Sequence, residues 1–134
     1  MRLSVIIPVY NKRATIIQVL DRVSAIAIEK EVIVVDDYST DGTRAILEEH
    51  CDETFTLLLH DYNQGKGAAL RTGFQQATGE FVIIQDADLE YDPSDFSKLL
   101  AIVARKNATV VYGSRLATSQ PTMTLRHFVG NRLL

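Results

Sequence analysis

Two carboxylates separated by one residue, Asp86-Ala87-Asp88, follow directly on the apolar run Phe81-Val82-Ile83-Ile84. The run reads as a buried strand, so the pair emerges at its carboxyl end, where open α/β sheets receive their ligands. Such a pair can hold a divalent cation and, through it, a diphosphate. Alone the triplet is a weak signal, because ten aspartates in 134 residues make roughly 0.7 chance Asp-x-Asp matches expected. Its meaning depends on its surroundings. The first apolar run ends in Pro8-Val9-Tyr10-Asn11, and the second in Asp36-Asp37-Tyr38-Ser39-Thr40-Asp41-Gly42-Thr43. If the three runs are parallel strands of one sheet, these ends share one edge. Acidic groups gathered there repel one another unless they are hydrogen-bonded, hydrated or neutralised, and a divalent ion is the simplest resolution.

The elements that would position these residues are legible as short β-branched runs alternating with longer helical patterns. Leu3 to Val9, Val32 to Asp36, Thr54 to Leu59, Phe81 to Gln85 and Thr109 to Tyr112 read as strands. Ala14 to Ile26 places Ile16, Ile17, Leu20, Val23 and Ile26 near a 3.6-residue period, and Thr43 to His50, Gly67 to Ala77 and Ser94 to Lys106 follow more loosely. Asp92-Pro93 supplies a cap and a first-turn proline for the last of these. The repeated β-α order predicts an α/β domain, a mainly parallel sheet with helices on both faces and the strand ends left free for a ligand.

Composition bounds the function classes. A chain of 134 residues with 46% hydrophobic residues fits one domain with an ordinary core, without disulfide or structural metal. A net charge of −3 and the lack of a Lys/Arg block exclude nucleic acid as its main partner. The single cysteine, Cys51, suits a reducing, cytoplasmic compartment and reads as a buried or half-buried thiol rather than a nucleophile. A strand-like run follows Met1 without a charged n-region or long apolar h-region, so no signal peptide is expected, and the apolar runs are too short to cross a bilayer.

Taken together, Ser4 to Asn11, Val34 to Thr43, Asn63-Gln64-Gly65-Lys66-Gly67-Ala68-Ala69, Asp86 to Pro93 and Val110 to Arg115 resemble the family-2 glycosyltransferases. The similarity is greatest to the branch of dolichyl-phosphate mannosyltransferase and the bacterial polyprenyl-phosphate sugar transferases. It implies that residues 1–134 form the Rossmann-like nucleotide-binding half of a GT-A fold. It also implies an enzyme that takes a sugar from a UDP- or GDP-linked donor, inverting, with Mg²⁺ or Mn²⁺. In that reading Asp88 is the direct metal ligand and a catalytic residue, Asp86 binds the metal or the donor, and Glu90 is a third candidate carboxylate. Ala87 belongs to the same donor-binding segment. Pro8, Val9 and Tyr10 wall the base pocket, Asn11 is a further nucleotide-sugar-binding residue, and Asp37 accepts an imino N–H of uracil or guanine, unless it is a turn-stabilising Asx residue. Lys66 contacts the nucleotide side, and Arg115 offers its guanidinium fork to the diphosphate. One departure is Lys12, where the family commonly carries an acid.

Other readings compete. Gly65-Lys66-Gly67 suggests a dinucleotide loop, but the third glycine position is Leu70 and the segment follows the third strand. A receiver domain would carry its acidic pair after the first strand, where this chain has Pro8 to Asn11. A non-catalytic nucleotide-binding module of the same fold is the remaining alternative. His50, His60 and His127 read as structural or exposed. The tail Thr124 to Leu134 has helical apolar spacing and ends on two leucines without a cap, so the expectation is a truncated chain. The acceptor segment, any membrane attachment and the general base of a hydroxyl acceptor would then lie beyond Leu134. A lipid phosphate acceptor, already anionic, needs no such base.

Overall fold

The computed structural model describes residues 2–89, 93, 95–106, 111–114 and 126–131. Strand β1 (Leu3–Val9) is buried along nearly its whole length. Such a strand has no polar face to alternate with its apolar one, as expected at the centre of a parallel sheet covered on both sides. It lies between β2 (Lys30–Asp36) and β4 (Phe81–Ile84), and β2 lies beside β3 (Thr56–Leu59), all parallel. The register places Val9 opposite Asp36 and Asp36 opposite Leu59. Ile6 pairs with Ile84, so the chain reaches the level of Val9 at Ala87. The strand ends singled out above therefore do share one edge.

Helices α1 (Ile16–Ser24), α2 (Thr43–His50) and α4 (Asp95–Lys106) cover one face. Their Ile16, Val19, Val23, Leu47, Phe96, Leu99 and Val103 pack on Leu3, Val5, Ile7 and Val9. Helix α3 (Lys66–Gln76) covers the other face, with Ala69 packed on Ile33 and Val35. There Gly73 lets the helix lie directly on β1, since a Cβ at this position would stand 2.6 Å from Ile6 Cγ2.

Three expectations need correction. The tail expected to be helical contains strand β6 (Arg126–Asn131), antiparallel between β4 and β5 (Val111–Ser114), giving the order β3-β2-β1-β4-β6-β5. The local spacing of apolar residues lost here to pairing with two distant strands, which periodicity does not register. Cys51 is exposed at the end of α2 rather than buried or half-buried. Strand β2 starts at Lys30, earlier than its apolar run, because Lys30 and Glu31 pair with Leu3 and Ser4. Among the described residues no helix is long and apolar enough to cross a membrane.

Candidate functional site

The shared edge opens into a cavity of about 400 Å³. Pro8, Val9 and Tyr10 reach it from the end of β1, Asp37 from the end of β2, and Lys66 from the first turn of α3. Asp86, Ala87 and Asp88 reach it from the end of β4. Asn11 does not line it. Its backbone sits in the left-handed region (φ 52°), which asparagine tolerates, and it ties neighbouring loops together. Its N–H donates to Ser39 Oγ at 2.9 Å, and its Oδ1 accepts the Thr40 N–H at 2.8 Å. Glu90 and Arg115 lie outside the described residues.

The two loops are joined further along. The Lys12 amide donates to Thr43 Oγ1 at 3.0 Å, and the Arg13 amide to Asp41 Oδ2 at 3.4 Å. The Thr15 hydroxyl donates to the Ala87 carbonyl at 2.6 Å, anchoring the acidic segment to the start of α1. Asp36, fully buried, accepts Arg44 Nε at 2.8 Å and the Ser39 amide at 3.1 Å. The Arg44 guanidinium lies 5.3 Å from the centre of the Tyr38 ring, a cation–π distance.

Asp37 is the most buried charged side chain of the cavity, being 3% exposed. Its Oδ1 accepts the Gln64 amide at 2.8 Å and His60 Nδ1–H at 2.9 Å, and its Oδ2 the Gly65 amide at 2.9 Å. Burial pushes the carboxyl up, but the bonds from Gln64, His60 and Gly65 outweigh it and hold Asp37 below the usual carboxylate range. All three partners lie in residues 60–65, so the carboxylate fastens that segment to the end of β2 instead of closing an Asx turn in its own loop.

Four lining residues are not among the expected site residues. Lys12, Gly65 and Ala69 line the cavity, as does Asn63, whose Nδ2 donates to the Asp37 carbonyl at 3.1 Å. His60 is structural, as expected, but its partner is the site carboxylate itself. The strand register carries the missing signal: Leu59 lies opposite Asp36, so the next residue of each strand, His60 and Asp37, are neighbours.

The acidic pair suits a cation that brings its own ligands. Among the described residues no three His, Cys, Asp or Glu side chains form a metal-holding group. Asp86 and Asp88 supply two carboxylates, the number Mg²⁺ typically takes alongside phosphate oxygens and water. Asp86 Oδ1 accepts Lys66 Nζ at 2.6 Å, so part of the negative charge at this point is already compensated. The residues therefore fit a divalent ion bound together with a diphosphate.

The glycosyl transferase family 2 model matches residues 4–130. The chain belongs to this family. Among family members, the undecaprenyl-phosphate 4-deoxy-4-formamido-L-arabinose transferase of Proteus mirabilis is 36% identical over 107 residues, covering 75% of this chain and 33% of the relative. The chain thus spans about a third of the length of the curated relatives it matches. The mannosyltransferase PcManGT of Pyrobaculum calidifontis, in complex with GDP-Man and Mn²⁺, is 33% identical. It superposes with a TM-score of 0.71 over 87% of this chain and 36% of its own. S. aureus TarS 1–349 in complex with UDP-GlcNAc is 30% identical, with a TM-score of 0.69 over 82% of this chain and 33% of that one. The architecture is that of the GT-A glycosyltransferases of this family.

Proposed function

We propose that this chain is the donor-binding part of a metal-dependent glycosyltransferase, which moves a sugar from a nucleoside diphosphate to an acceptor of the polyprenyl phosphate class. The observation that carries the proposal is the convergence of Asp37, Lys66, Asp86 and Asp88 from different strand ends into one cavity. A concave site with a few convergent polar groups at the carboxyl edge of an α/β sheet is the expected form of a nucleotide pocket. The names of the relatives, undecaprenyl-phosphate sugar transferases and complexes with UDP-GlcNAc or GDP-Man and Mn²⁺, support both substrates.

In this reading Pro8, Val9 and Tyr10 wall the base pocket and Asp37 accepts the base N–H. Lys66 and Arg115 meet the diphosphate. Asp86 and Asp88, with Glu90 as a further candidate, hold Mg²⁺ or Mn²⁺, which stabilises the charge developing on the leaving diphosphate. A phosphate acceptor is already an anionic nucleophile, so the site needs no general base. An acceptor anchored in lipid places the reaction at the cytoplasmic face of a membrane.

A thermal-shift panel of UDP, GDP and their sugars, with and without Mn²⁺, tests the proposal. Ligand at 100 times its Kd stabilises by about 2.7 kcal/mol, or roughly 10 °C for a chain of this size. Stabilisation should need Mn²⁺ and be lost with EDTA. Calorimetric nucleotide binding indifferent to Mn²⁺, to EDTA and to Asp88→Ala would refute the metal assignment.

A further inference from the structure

Asp37 has one position left at which to accept a hydrogen bond. An ionised carboxylate offers about four lone-pair sites on its two oxygens. Gln64 and His60 take both sites of Oδ1, and Gly65 takes one of Oδ2, which leaves the second site of Oδ2. His60 is not free to give up its share. Its Nε2 is bonded to Thr72 Oγ1 at 2.8 Å, its amide donates to the Asp36 carbonyl at 2.9 Å, and its own carbonyl accepts Arg44 Nη2 at 2.6 Å. The ring is clamped from both sides in a residue only 7% exposed.

Bases differ in the donors they offer such an acceptor. Uracil presents one N3–H between two carbonyls. Guanine presents N1–H and its exocyclic amine side by side, a pair suited to a carboxylate with both oxygens free, as in bidentate recognition. Hypoxanthine keeps the N1–H without the amine, and cytosine has no hydrogen at N3.

We propose that His60, by occupying Oδ1, reduces Asp37 to a single acceptor and so makes the site select a uracil over a guanine nucleoside diphosphate. The inference rests on the nucleotide reading of the cavity given above. In a guanine complex the exocyclic amine meets a carboxylate oxygen already filled, and a donor taken from water without a partner weakens binding.

Calorimetric titration of the protein with UDP, GDP, inosine diphosphate and CDP in the presence of Mn²⁺ tests this. UDP is expected to bind at least about tenfold more tightly than GDP, and CDP most weakly. Inosine and guanosine diphosphates share the size of a purine, so their comparison isolates the amine, and the inosine form should bind as tightly as GDP or more so. Equal UDP and GDP affinities, CDP binding as tight as UDP, or GDP tenfold tighter than inosine diphosphate would each overturn the proposal. His60→Phe keeps a ring in place and frees Oδ1, so the UDP-to-GDP affinity ratio should fall at least about threefold. A purely structural role would weaken both ligands alike, and an unchanged ratio in the folded variant overturns the assignment to His60. If that variant does not fold, the wild-type comparison of GDP with inosine diphosphate decides. Failure of every diphosphate to bind would overturn the nucleotide reading itself, and this inference with it.

Discussion

Replacing Asp37 by alanine should destabilise the fold even in the absence of any ligand, by an amount that follows from its three hydrogen bonds. The amides of Gln64 and Gly65 border the open cavity, where water can substitute, so each lost bond costs about 0.5–1 kcal/mol. His60 Nδ1–H is buried at 2.9 Å from the carboxylate, and losing a bond to a charged partner there costs about 1.5–3 kcal/mol. The total is about 2.5–5 kcal/mol, a large part of the 5–15 kcal/mol that an ordinary domain possesses. With an unfolding entropy of about 0.28 kcal/mol/K for a chain of this length, the melting temperature should fall by about 9–18 °C. Thermal and urea unfolding monitored by circular dichroism without nucleotide measures both quantities. Asp37→Asn, which retains one acceptor oxygen but turns an amide donor toward backbone donors, should lose about half as much. A loss below about 1 kcal/mol in Asp37→Ala would show that the carboxylate does not organise the 60–65 turn, and the geometric argument built on it would fail.

Three further outcomes are expected. Because the folded Asp37 pKa lies below its unfolded value of about 3.9, its stabilisation is present above that value and lost as pH falls through the folded one. The urea midpoint of the wild type should therefore decline more steeply below about pH 4 than that of Asp37→Ala. Gly65 holds φ +93°, ψ 163°, and the space a Cβ would enter is open to 4 Å, so Gly65→Ala should cost about 1–3 kcal/mol from backbone strain alone, read as a shift in the urea midpoint without a change in slope. Thr15→Val removes the hydroxyl bonded to the Ala87 carbonyl at 2.6 Å. It should lower stability by about 1 kcal/mol and weaken Mn²⁺-dependent UDP binding severalfold in calorimetry.

Much of this architecture is legible from local pattern. Strand Leu3–Val9 and helix Thr43–His50 fall where the apolar runs and period put them, because a strand buried on both faces and an amphipathic helix each leave a direct record in composition. The antiparallel strand Arg126–Asn131 leaves none, since its partners are Phe81–Ile83 and Val111–Ser114, distant in the chain. The same division holds at the site. Residues at the ends of apolar runs, such as Asp37 and Asp86, can be named in advance. The contact of His60 with Asp37 depends on the register of β2 against β3, and the bonding of Asn11 to Ser39 and Thr40 depends on a left-handed backbone. Neither is encoded in spacing.

The hydrogen bonds joining Asn11 to Ser39 and Thr40, Lys12 to Thr43 and Arg13 to Asp41 carry a consequence for engineering. The segments after β1 and β2 are one transplantable block rather than two loops. A graft of this pocket into another scaffold would have to carry both together, since either alone would arrive with its donors and acceptors facing strangers.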